Sequence, residues 1–102
     1  MHPAIHGNEN LSLAEAIIAI DSQTFLHKHN KSEELYHIIS GQGLMTLGTQ
    51  EFEVKQYDTI YIAPNTPHKV KNIGKIPLKI LCCCAPPYSH EDTVLLNDLP
   101  KN

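Results

Sequence analysis

The sequence predicts an all-β protein, a sandwich or barrel of short strands, and three observations carry that reading. Turn-forming residues recur at short intervals from Thr24 onward: Asn30-Lys31-Ser32, Gly41-Gln42-Gly43, Gly48-Thr49-Gln50, Asn65-Thr66-Pro67, Asn72-Ile73-Gly74-Lys75 and Pro86-Pro87. The segments between them are too short for helices, and several are β-branched or aromatic, as in Thr59-Ile60-Tyr61-Ile62 and Leu35-Tyr36-His37-Ile38-Ile39. Alternation then fixes faces, because neighbouring strand residues point to opposite sides.

Taken in order, "LSLAEAIIAI" at positions 11–20 is alanine-rich and by propensity alone is compatible with a helix. It has no clear polar face, so the all-β context places it as a buried strand. The next segment carries His27-Lys28-His29, which as a strand sets both imidazoles on one face. After the turn at Asn30-Lys31-Ser32, parity puts Glu34, Tyr36 and Ile38 on one face and Glu33, Leu35 and His37 on the other. In His68-Lys69-Val70-Lys71-Asn72 the two lysines face water, and His68, Val70 and Asn72 face inward. An outward Lys79 turns Leu78, Ile80, Cys82 and Cys84 inward. In the tail, residues 88–102, a short helical turn is expected around positions 91–96 with Ser89 as its N-cap.

With 102 residues there is room for one domain and not two, so 1–102 is a single unit with its core at about 11–87. Charged residues make up 19%, and eight Lys and Arg, all lysine, are opposed by eleven Asp and Glu for a formal net charge of -3. No basic stripe exists to hold a phosphate backbone, so a nucleic-acid partner is not expected. Nor does any apolar run approach the roughly 20 residues a membrane helix needs. Three adjacent cysteines, Cys82-Cys83-Cys84, read as reduced thiols and point to a cytoplasmic protein.

The chemistry concentrates in "TFLHKHNKSEELYHIISGQG", positions 24–43. His27 and His29 are able to lean onto one ion, the turn returns a glutamate beside them, and parity selects Glu34 over Glu33. His68, inward by the same rule, supplies a fourth ligand from far along the chain. From spacing alone, an HxH beside Asn-Lys-Ser is more often a solvated loop than a metal site. Three imidazoles and a carboxylate, without thiolate, suit a divalent transition metal, with Mn, Fe or Ni favoured over a closed Zn site. Tyr36 and Tyr61 are the candidate catalytic side chains, either of which would act as an acid or orient a substrate oxygen if it faced the metal; packing is the alternative. Gln56 and Asn72 are candidates to hydrogen-bond the imidazoles, with turn capping the alternative for Asn72. The inward cysteines fill space or, in the sharper reading, present an oxidation-sensitive thiol. His37 is expected at the surface or an interface; His2, His6 and His90 are expected to be solvated.

The arrangement as a whole resembles the cupin superfamily. Its first motif, glycine, five residues, HxH, three or four residues, glutamate, six residues and glycine, is matched by His27, His29, Glu34 and Gly41, with Asp21 for the opening glycine. The second motif, glycine, five residues, P-x-G-x-x-H, three residues and asparagine, is followed by "YDTIYIAPNTPHKVKN", with His68 and Asn72 in place. Here Tyr57 replaces the first glycine, Ala63 the proline and Asn65 the turn glycine; Asn tolerates a left-handed backbone. The resemblance covers about positions 11–87. It implies a double-stranded β-helix, or jelly-roll barrel, with the metal near one mouth, and a homodimer formed through N-terminal strands. It further implies a metal-dependent enzyme acting on a small oxygen-rich molecule, dioxygenase-like or sugar (phosphate) isomerase-like, or else a non-catalytic module binding a small sugar or acid. A His68→Ala substitution is expected to remove the metal and leave the barrel folded, on the view that His68 is an accessible mouth residue.

Overall fold

A computed structural model describes residues 10–96, in which nine strands and no helix are found. The strands are β1 Ser12–Ile18, β2 His27–His29, β3 Glu33–Ser40, β4 Gln42–Leu47, β5 Gln50–Lys55, β6 Thr59–Ile62, β7 His68–Asn72, β8 Leu78–Ala85 and β9 Thr93–Leu95. They form two antiparallel sheets, β1-β8-β3-β6 and β5-β4-β7-β2-β9, which make the expected jelly roll. Consecutive strands β3 and β4 belong to different sheets, so the chain crosses between them at Gly41. That corner demands glycine twice over. Its φ is +94°, and an added Cβ would stand 2.9 Å from the Leu78 Cα and the Pro77 carbonyl oxygen.

Alternation along each strand separates a dry interior from an outer face, as the sequence parity requires. Ile38, Met45, Ile62, Val70, Leu78 and Ile80 are almost fully buried between the sheets, and each contributes about 1.5–3 kcal/mol on burial. Inside β3, β7 and β8 the composition changes along the barrel. Glu34, His68 and Cys84 lie towards one end, and Ile38, Asn72 and Leu78 towards the other. Asn72 caps the far end by donating to the Ile18 and Ile76 carbonyls while its Oδ1 accepts from Gly74 N–H. Turn capping is therefore its role, not contact with an imidazole.

Two expectations are corrected. Residues 12–18 are a strand, but not a buried one: β1 pairs only with β8 at a sheet edge, and Leu13 and Ile17 are exposed while Ser12 and Ile18 point inward. In register across that sheet, Leu13, Cys83, Leu35 and Tyr61 form one outward row. The tail does make one turn, with Ser89 Oγ accepting from Glu91 N–H at 3.2 Å, but it then extends into β9 beside β2. Asp92 forces that path, because its carboxylate accepts from the N–H groups of Lys31 and Ser32 at 2.9 and 3.1 Å and pins the segment to the β2–β3 turn. His2 and His6 lie outside the described residues.

The three motif positions where another residue replaces glycine share one backbone feature. Asp21, Tyr57 and Asn65 have φ of +64°, +74° and +64°. Asp and Asn adopt this region at low cost; a tyrosine there is strained.

Candidate metal centre

Four residues from three strands meet inside one end of the barrel: His27 and His29 from β2, Glu34 from β3 and His68 from β7. The register explains the convergence, since His27 is the direct partner of His68 in one sheet, and Glu34 faces them from the other. One ligand atom from each of the four lies within 4.8 Å of all the others. Glu34 Oε1 is 3.3 Å from His29 Nε2 and 3.3 Å from His68 Nε2. His29, Glu34 and His68 are at most 5% exposed, and His27, half-buried, opens the cluster towards the surface.

The second nitrogen of each ring decides what the first can do. His27 Nδ1–H donates to the Phe25 carbonyl at 2.8 Å, and His68 Nδ1–H donates to the Thr66 carbonyl at 2.8 Å. His29 Nδ1–H donates to Thr93 Oγ1 at 3.0 Å, and the Thr93 hydroxyl has spent its own hydrogen on the Ser89 carbonyl at 2.8 Å. A carbonyl only accepts, and so does this hydroxyl, so each neutral ring carries its proton on Nδ1 and aims an Nε2 lone pair inward. His29 Nε2, His68 Nε2 and Glu34 Oε1 are buried without a hydrogen-bond partner. Lone pairs facing a carboxylate repel one another, and a dry interior leaves that repulsion unscreened. The cluster therefore requires positive charge at its centre, which a divalent cation or protons on the rings would supply. The donor set, three nitrogens and one oxygen oriented from behind, fits a transition metal.

Neighbouring groups reinforce this electrostatics. Burial pushes the Glu34 carboxyl up, but His29 and His68, in the form that carries a proton on Nε2, and the Cys84 thiol outweigh it and hold the group at about 2. Burial, with the nearby His68 and His29, lowers His27 despite its bond to Phe25, keeping it in the neutral form a metal needs. Cys84 Sγ–H donates to Glu34 Oε2 at 3.2 Å. Burial and the Glu34 charge raise the thiols of Cys82, to about 12, and Cys84, which favours their protonated form.

Of the other sequence candidates, Tyr36 is 5% exposed and its ring stands edge-on to His68 at 5.8 Å. Burial raises its hydroxyl well above the usual range, so it can donate a proton in a hydrogen bond but cannot act as a base at neutral pH. Tyr61 is not brought to the cluster; it is 52% exposed on the outer face, opposite Leu35. Gln56 is exposed beyond β5 and bonds none of the imidazoles. His37 is half-buried and bonds Thr59 Oγ1, and His90 contacts the Tyr88 hydroxyl. His68 is no mouth residue: its exposure is 0%, so a His68→Ala change opens a cavity as well as removing a ligand. Sequence reasoning missed Thr93, which orients His29 from 64 residues away; its pairing depends on β9, which parity in the ligand strands does not reveal.

Comparison with known proteins agrees with this architecture. The chain is 62% identical over 96 residues to an uncharacterised protein of Methanocaldococcus jannaschii, covering 94% of this chain and 77% of that one. A shorter similarity, 31% over 67 residues, links it to a mannose-1-phosphate guanylyltransferase of Salmonella typhimurium, covering 66% of this chain and 14% of the enzyme. Among solved structures, the oxalate decarboxylase of Lactobacillus farciminis superposes with a TM-score of 0.85 at 22% identity over 94% of this chain and 30% of its own. A family model described as Cupin domain matches residues 16–84, a span that holds all four convergent residues, and on that match the chain belongs to the cupin-domain family.

Proposed function

We propose that the protein is a metal-dependent cupin enzyme acting on a small oxygen-rich molecule, with His27, His29, Glu34 and His68 as the metal ligands. The observation that carries this reading is the set of buried acceptor atoms, His29 Nε2, His68 Nε2 and Glu34 Oε1, that face one another with no hydrogen-bond donor between them. A bound divalent ion, with Mn, Fe or Ni proposed ahead of Zn, would supply Lewis acidity or dioxygen chemistry there. The chain's own residues hold the rings in one tautomer, keep Glu34 ionised, exclude bulk water and offer the Tyr36 hydroxyl as a hydrogen-bond donor.

Between the two chemistries, the residues favour the oxidative one. An isomerase needs a base to move a proton, and the buried polar side chains among the described residues are Ser12, His29, Ser32, Glu34, His68 and Asn72, with no second carboxylate and no lysine. The same observation supports the second reading, a module that binds a small sugar or acid without turning it over. We further propose a cytoplasmic homodimer, supported by the three free thiols and by the exposed outward row of Leu13, Leu35 and Tyr61.

Anaerobic reconstitution with each metal, elemental analysis, and oxygen-consumption assays on diketone, catechol and thiol panels test the proposal. Metal at one equivalent per chain with uptake of oxygen on one panel is the expected result. Protein that holds no metal, and whose melting temperature ignores added Mn, Fe, Ni and Zn, overturns it.

A further inference from the structure

The two oxygens of Glu34 have different neighbours. Oε1 lies 3.3 Å from both His29 Nε2 and His68 Nε2, inside the cluster. Oε2 points away from it and accepts from Cys84 Sγ–H at 3.2 Å. The pairing is built into the sheet, since Glu34 and Cys84 are direct partners across β3 and β8. Both side chains are sealed from solvent, at 5% and 2% exposure, so no bulk water competes for Oε2.

We propose that Cys84 is a positioning residue that makes Glu34 a one-oxygen ligand. Resting on the metal reading above, the inference adds what decides the geometry of its only anionic ligand. A carboxylate with both oxygens free can close onto a cation with two bonds and occupy two coordination positions. The thiol proton holds Oε2 back, turns Oε1 towards the three imidazoles and leaves that second position for a substrate atom. The sulfur acts as a donor and not as a ligand, because a thiolate here would set a second negative charge against Glu34 in a dry interior. Carboxylates that bind metals are themselves commonly hydrogen-bonded from behind, and loss of such a partner weakens binding.

The test compares Co2+ affinity and the electronic absorption of the cobalt-loaded full-length chain for the native protein, Cys84→Ala, Cys84→Val and Cys84→Ser. Ala and Val remove the donor, Val while keeping more of the volume; Ser keeps a donor. Cobalt affinity is expected to fall about tenfold in the Ala and Val variants, the lower end of the effect of losing such a partner because S–H is a weak donor. Ser is expected to restore it to within about threefold of native. If Ala does not fold, the Val and Ser pair carries the same comparison. Equal affinities in all forms overturn the inference, as does a Ser variant as weak as Ala, which marks a packing role. A sulfur-to-cobalt charge-transfer band that vanishes on substitution overturns it too, by making Cys84 a ligand. A native protein that binds no cobalt fails at the earlier step and sinks the metal reading itself, which separates the two failures.

Discussion

Replacing Glu34 by Gln exchanges one oxygen for an amide nitrogen and leaves the side-chain volume almost unchanged. Without metal at pH 8, above the ordinary imidazole range, the native cluster sets two Nε2 lone pairs 3.3 Å from a carboxylate oxygen. A Gln at this position would turn its two N–H donors towards His29 and His68 and its carbonyl towards the Cys84 thiol. Two buried atoms that lack partners, His29 Nε2 and His68 Nε2, would gain them. At about 1–3 kcal/mol for each unsatisfied group, less the part already relieved by local relaxation, Glu34→Gln is expected to stabilise the metal-free protein by about 2 kcal/mol. For a domain of this size that raises the melting temperature by roughly 8–16 °C. Metal should reverse the order: at free metal 100 times Kd the native protein gains about 2.7 kcal/mol, and the variant, lacking the anionic ligand, gains little.

The assay is thermal unfolding by circular dichroism, in chelator and in excess Mn2+ or Zn2+. A variant less stable than the native protein in chelator, yet still stabilised by metal, refutes the argument that these atoms are a suppressed repulsion. Acid gives a second check. The Glu34 carboxyl, held at about 2 against a reference of 4.5, contributes stability that is present above the reference value and lost as pH falls through about 2. Glu34→Gln should not show that loss.

Thr93→Val removes the hydroxyl that accepts from His29 Nδ1–H but keeps the branched shape, so metal affinity should drop roughly tenfold or more, measured by isothermal titration with Mn2+ or Zn2+, and the apoprotein should lose about 1–3 kcal/mol because the buried Nδ1–H is left without an acceptor. Tyr57→Gly relieves a tyrosine at φ +74° whose side chain is 72% exposed, so it should stabilise by about 1 kcal/mol, read as a rise of roughly 4–8 °C in melting temperature; a fall would show that the ring packs usefully.

The convergence of His27, His29, Glu34 and His68 was legible because each lies on a strand whose parity is anchored by its neighbours. Lys69 and Lys71 set His68 inward, and Ile38 set Glu34 inward through β3. Tyr61 escaped the same rule because Ile60, Tyr61 and Ile62 are all apolar, and alternation needs a polar residue to mark the outer face. Burial of β1 was overestimated for a related reason: an apolar segment looks the same whether sheets cover both faces or one is bare. The tail was misread after one turn because Asp92 binds Lys31 and Ser32, a contact 61 residues apart that no local pattern records.

The brace on His29 from Thr93 bears on how the protein would acquire an ion. Until β9 docks beside β2, nothing locks His29 into the acceptor form, and His68 has yet to find its place across the sheet. A partly made or unfolded chain therefore offers only a loose pair of rings, for which copper and nickel would outcompete manganese and iron. Were the last strand to close first and the cation to enter afterwards past the half-buried His27, the choice of metal would pass from raw affinity to the shape of a finished chamber.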